Sequence, residues 1–270
     1  MGSTPKLKKT VIFVFANHKG GAAKTTSGIN VGDEIAQMGY SVCLLDLDPQ
    51  ANASRHIGMS HPSEIQYTAA EMLSIMELPL AVFIHDETRV EGLSLIYGSI
   101  ALENSDDLLR AEPRPNEVLK ERLAPLMGKA DFIIIDCPPS LKLLTTNALA
   151  AGTHLIVPVE SGDAYGLHGH EDLLNRVKKI KQINPELVNL GVLLNRHDQR
   201  QLVCKNMEEN AASLYGTVIP VKLGTTTKVK QASSLQMTLR QLESGNTVSK
   251  QFRQLAEWLV DETKEFRGEA

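Results

Sequence analysis

Residues 19–26 read Lys-Gly-Gly-Ala-Ala-Lys-Thr-Thr, two residues beyond the apolar run Val-Ile-Phe-Val-Phe-Ala at 11–16. No other stretch constrains the fold as tightly. A β-branched run, a glycine-rich loop and then helical spacing predict strand, loop and helix, the context in which such a loop wraps an anion. Gly20 and Gly21 let the backbone pass close to phosphate oxygens, and the N–H groups running on through Ala22 and Ala23 form a nest. A helix opening near Thr25 and Thr26 adds its positive end. Lys24 brings a charge to the outer phosphates, and the Thr25 hydroxyl is of the kind that coordinates magnesium. ATP with magnesium is the ligand this loop predicts.

The rest of the chain repeats the same grammar. Short β-branched runs recur at 42–48, 93–98, 132–137, 154–159, 189–195 and 217–221, with helix-like segments between them. Most are continuously apolar, as parallel strands are when helices cover both faces. The pattern predicts an α/β fold with a doubly wound, mostly parallel sheet flanked by helices. Helical spacing is clear at 25–38, stopped by Gly39, at 166–183 and at 248–266. The pattern is weakest at about 60–92. With no low-complexity linker, residues 1–270 are expected to form one domain. Cys43, Cys137 and Cys204 are too scattered for a disulfide framework or zinc site, which fits a reducing cytoplasm. No stretch approaches the ~20 apolar residues of a membrane span.

Two strand ends carry acids. Asp46 and Asp48 are two apart and face one side of the strand that they end. Two carboxylates there are costly to bury without a cation or proton partner. The run 132–136 ends in Asp136, an acid placed to hold a water on magnesium.

Lys19, ahead of the glycines, makes the loop resemble the deviant Walker A box of the ParA/MinD ATPases. Asp46-Leu-Asp-Pro-Gln-Ala-Asn and Cys137-Pro-Pro-Ser-Leu are similar to two further segments of that family. The resemblance runs from residue 11 to the terminal helix. It implies a homodimer that sandwiches ATP, with Lys19 reaching the partner's nucleotide, and a switch that senses the nucleotide near 137–141. It assigns Asp48 to orienting the attacking water and Asp46 to the metal's outer shell. Lys19, Lys24 and Asp48 would then supply catalysis, and Thr25, Asp46 and Asp136 the metal site. Most of the family has glycine where this chain has Ala23. Alanine costs about 1–2 kcal/mol if that position needs a positive φ. Asn195 and Pro220 stand in late strand-end segments, 192–196 and 218–221, that resemble the family segments flanking adenine.

Between 222 and 253 stand six bases (Lys222, Lys228, Lys230, Arg240, Lys250 and Arg253) against one acid, Glu243, in a chain of net charge −4. Such a stripe is an electrostatic footprint for nucleic acid. The resemblance places non-specific DNA binding there, and implies a ParB-like or cargo-adaptor activator and a cytoplasmic, nucleoid-associated protein that distributes a plasmid, chromosome origin or protein cargo. The first strand starts by residue 11, which leaves no room for an N-terminal helix-turn-helix domain. Three alternatives stand beside this reading. A MinD-like membrane-positioning ATPase would need a basic polar face on the last helix, which instead carries Glu257, Asp261, Glu262 and Glu265. An electron carrier like the nitrogenase iron protein would need a cysteine pair, and only Cys137 is near the motifs. The third is an ATP-gated switch with very slow hydrolysis.

Overall fold

In the computed structural model, which describes residues 9–162 and 170–269, one sheet organises the chain. Its strands are β1 (Val11–Phe15), β2 (Val42–Asp46), β3 (Leu93–Ile96), β4 (Phe132–Asp136), β5 (His154–Glu160) and β6 (Val188–Asn195). They lie in the order β3-β2-β4-β1-β5-β6, and every pairing is parallel. The helices are α1 (Lys24–Gln37), α2 (Asn52–Ile57), α3 (Ala69–Ser74), α4 (Ser105–Arg110), α5 (Val118–Leu123), α6 (Leu143–Ala151), α7 (His170–Ile180), α8 (Leu202–Tyr215), α9 (Lys228–Ser234), α10 (Leu239–Glu243), α11 (Thr247–Glu262) and α12 (Lys264–Arg267).

Alternate β1 residues feed opposite faces. Val11, Phe13 and Phe15 join a core with α1, α2, α10 and α11; Ile12 and Val14 join one with α3 to α8. Both faces are covered, which explains the continuously apolar runs. The connection through α1 leaves β1 toward β2, whereas α6 leaves the adjacent β4 toward β5. Neighbouring strands whose connections depart in opposite directions open a crevice at their carboxyl ends. The phosphate loop and Asp136 both sit there.

Three expectations shift. The run 217–221 is not a strand. Val192 pairs with Thr217 and Ile219 through backbone bonds of 3.1 and 2.9 Å, but only one isolated bridge forms, because the next acceptor on β6, the Leu194 carbonyl, is taken by the Leu223 N–H at 2.9 Å. The helical stretch 248–266 is broken at Thr263, whose hydroxyl bonds the Leu259 carbonyl at 2.8 Å. The guanidinium of Arg267 bonds the same hydroxyl at 2.7 Å and lies 5.0 Å from the centre of the Phe132 ring, docking α12 under the sheet. Of the helix expected over 166–183, the part at 166–169 lies outside the described residues. The weakly patterned 60–92 resolves into α3 and short 3₁₀ turns.

Candidate active site

The loop between β1 and α1 is held from below. Asn17, buried at its root, donates to the Pro158 carbonyl on β5 at 2.6 Å and accepts the Lys19 N–H at 3.0 Å. The sequence reading missed Asn17, since its partner is 141 residues away. Gly21 takes a φ of +77°, a conformation that glycine reaches without penalty. A Cβ at Gly20 or Gly21 would meet nothing within 4 Å, so the backbone stands open to a ligand. Lys24 folds back over the loop, with Nζ donating to the Lys19 carbonyl at 3.2 Å. Its burial lowers the ammonium from the usual lysine range, while the Asp136 and Asp48 carboxylates pull it back.

The three acids converge beside it. Asp46 and Asp136 are register partners at the ends of β2 and β4, and both are fully buried. Asp46 accepts the Ser54 N–H (2.8 Å), the Ser54 hydroxyl (2.7 Å) and the Asp48 N–H (3.1 Å). Ser54 in turn accepts the Gly98 N–H at 2.8 Å. A Cβ at Gly98 would come within 2.8 Å of the Asp46 carbonyl oxygen, so only glycine fits. These bonds aim Asp48, whose Oδ1 accepts the Gln50 N–H at 3.0 Å. Ser54 and Gly98 also escaped the sequence reading, because neither belongs to a recognisable string.

Burial pushes the Asp46 carboxyl up to about 6, and burial together with Asp46 pushes Asp136 well above the carboxylate range. Asp136 Oδ2 accepts the Thr25 hydroxyl at 2.6 Å, while its buried Oδ1 has no hydrogen-bond partner. An orphaned carboxylate oxygen beside a threonine hydroxyl and a strained pair of acids is the donor set that a divalent cation satisfies. Among the described residues no three His, Cys, Asp or Glu side chains converge as a metal cage. Magnesium keeps waters and shares substrate phosphates, so the Thr25 hydroxyl and Asp136 are of the type that would hold it. Cys137 is fully buried, and burial drives its thiol far above the usual range, so it stays a protonated core residue.

A cavity of about 730 Å³ opens over the loop, walled by Gly20 to Thr26, Asp48, Arg55 and Arg196. A second, of about 290 Å³, adjoins it and shares Ala23, Thr26 and Arg196. Asn195 and Leu223 to Thr227 line this second cavity, with Phe252 as an apolar wall. Pro220 is not brought there. It lines a separate polar hollow with His197 and Lys222. The chain passes Pro220 and turns into the cavity only at Leu223, whose N–H bonds the Leu194 carbonyl at 2.9 Å.

The basic stripe is also redrawn. Arg240 grips the fully buried Asp33 of α1 through Nε (3.0 Å) and Nη2 (2.7 Å), so it is a structural clasp and not a surface charge. Lys222 pairs with Glu208, Lys228 with Glu243 at 3.9 Å, and Arg253 with Glu257 at 3.1 Å. Lys230 and Lys250 are exposed. Arg240→Ala is expected to destabilise the fold by about 2–4 kcal/mol, because it strands a buried carboxylate while the Arg240 side chain, 28% exposed, already shares part of its charge with solvent. Adding Asp33→Asn should restore part of the loss. Urea denaturation reads both, and an additive or larger loss in the double variant would refute the clasp.

The family model described as AAA domain matches residues 10–190. The sporulation initiation inhibitor protein Soj of Bacillus subtilis is 35% identical over 215 residues, covering 77% of this chain and 83% of its own. The chromosome-partitioning ATPase Soj of Treponema pallidum is 30% identical over 258 residues, covering 93% of this chain and 97% of its own. The chain belongs to the ParA/Soj family of P-loop ATPases. Among solved structures, cobyrinic acid a,c-diamide synthase of Mycobacterium smegmatis, with ADP and magnesium bound, superposes with a TM-score of 0.83 at 28% identity over 96% of this chain and 97% of that one.

At Ala23, where the resemblance leads to an expectation of glycine, the structure shows the backbone strain. Ala23 adopts φ 65°, ψ 27°, the left-handed conformation that alanine resists. Ala23→Gly removes about 1–2 kcal/mol of strain and returns about 0.4–1 kcal/mol of unfolded-state entropy. We expect a net gain near 0.5–1 kcal/mol, or a melting temperature higher by roughly 1–3 °C. A lowered melting temperature would show that Ala23 is not strained.

Proposed function

We propose that this chain is a single-domain, dimerising partition ATPase. In its ATP state it binds DNA without sequence preference and distributes a plasmid, chromosome origin or protein cargo over the nucleoid. The observation that carries the reading is that Lys24, Thr25 and Asp48 wall one cavity, with Asp136 accepting the Thr25 hydroxyl behind it and Lys24 Nζ resting on the Lys19 carbonyl. ATP phosphates would lie along Gly20 to Thr26, and the base in the adjoining cavity against Asn195. Magnesium would sit by Thr25, with Asp136 and Asp46 beyond it, and would supply charge stabilisation to the phosphates. Lys24 neutralises the terminal phosphates, Asp48 orients a water, and Lys19 reaches toward a partner subunit's nucleotide. Phosphoryl transfer of this type rests on positioning and charge, which these residues provide.

Turnover is expected to be slow until a ParB-like or cargo-adaptor protein stimulates it. The strained Ala23 favours a second reading of the same site, a switch with negligible hydrolysis. The membrane reading loses its best element, because Val248, Phe252, Leu255 and Leu259 of α11 are buried against the sheet side that also carries α1. No helix among the described residues is long and apolar enough to cross a membrane.

The test is binding to non-specific duplex DNA with ATP, with ADP and without nucleotide. The expected outcome is tight binding with ATP only, falling steeply with salt. Lys230→Glu with Lys250→Glu should weaken it about tenfold at 0.1 M salt and flatten the salt dependence. Absent or nucleotide-independent binding would overturn the partition reading.

A further inference from the structure

At the opposite end of the sheet from the phosphate loop, the amino end of β1 and the turn into β5 floor a hollow of about 490 Å³. Ile12, Leu123, Met127, Ala151 and Phe266 give it apolar walls. Its polar wall groups are already spent on the backbone. The Thr10 hydroxyl donates to the Ala130 carbonyl at 2.6 Å, and Asn184 donates to the Leu149 and Gly152 carbonyls at 3.0 and 2.8 Å. The charges at the hollow are Lys9, Lys120 and one acid, Glu186. Lys9 stands 5.1 Å above the Phe266 ring, and among the described residues neither ammonium has an ion-pair partner. Two cations without ion-pair partners over an apolar concavity match a ligand with an apolar body and one negative head.

We propose that this hollow binds a small amphipathic anion, a free carboxylic acid with an aliphatic or aromatic body, its head between Lys9 and Lys120. The volume lies within the range of small-molecule sites, and the charge at the rim selects the head. The site stands apart from the nucleotide reading. It nevertheless touches the end of α6, whose other end follows Pro139 on the wall of the nucleotide cavity.

The probe is 1-anilinonaphthalene-8-sulfonate, followed by fluorescence on the full chain and displaced by decanoate. Saturable binding of one probe per chain is expected, with decanoate competing at least tenfold better than 1-decanol, which has the same body without the charge. Ala124→Trp, at the mouth, should cut probe affinity at least tenfold. Lys120→Glu, an exposed change that leaves the core untouched, should cut it about as much, with a thermal melt confirming the fold of both. Unsaturable binding, equal competition by decanol, or probe binding that ATP displaces while both variants leave it intact would each overturn the proposal.

Discussion

Asp48→Asn is expected to lower ATP turnover by about 10²–10⁴-fold while leaving ATP affinity within about threefold. The reasoning starts from shape. Asn and Asp are nearly isosteric, and the Asp48 Oδ1 that accepts the Gln50 N–H has an equivalent in the amide oxygen. The loop, Lys24 and the Thr25–Asp136 bond are untouched by the change. What disappears is a negative oxygen on the cavity wall that can orient a water and take its proton. Because binding persists and the chemistry stalls, the ATP-bound dimer should accumulate. Phosphate release and equilibrium nucleotide binding, measured on the same preparation, separate the two effects. Turnover within tenfold of the unsubstituted protein would take Asp48 out of the reaction.

Lys24→Met should abolish nucleotide binding for practical purposes, with a loss of at least about 10²-fold in affinity. Truncating one member of a buried charge pair typically costs about 3–5 kcal/mol, and each 1.4 kcal/mol is tenfold. Lys24 is 6% exposed, so water cannot replace its charge on a phosphate. The free protein should respond in the opposite sense. Burial already disfavours the ammonium, so methionine, of similar length and uncharged, should leave the melting temperature unchanged or raise it. Calorimetric titration with ATP and magnesium, beside a thermal melt, reads both arms. Binding within tenfold of the parent would show that the loop backbone alone holds the ligand.

Much of this was legible before any coordinates. The loop at 19–26 announces itself because glycines, lysine and threonine must be contiguous to do their work, and the six strands announce themselves because burial on two faces forces apolar runs. The failures have a common cause. Asn17, Ser54 and Gly98 act through partners that only the folded sheet brings near, so no local pattern encodes them. Pro220 lies in a run that reads as a strand, yet the cavity wall begins three residues later, where Leu223 takes the β6 carbonyl that a continuing strand would have used. Arg240 is indistinguishable in sequence from its basic neighbours. Only its pairing with Asp33, 207 residues away, separates a clasp from a surface charge.

Ala23 has a further consequence for anyone who sets out to make this protein more robust. It is the residue that opens α1, and no side chain there bonds the first N–H groups of that helix. Installing serine, aspartate or asparagine at a helix start is a routine stabilising change worth about 1 kcal/mol. Here the routine change fails, because a capping side chain needs an extended backbone and position 23 is held left-handed at φ 65°. The first N–H groups of α1 therefore stay free for a phosphate, and glycine is the substitution that relieves the strain without disturbing them.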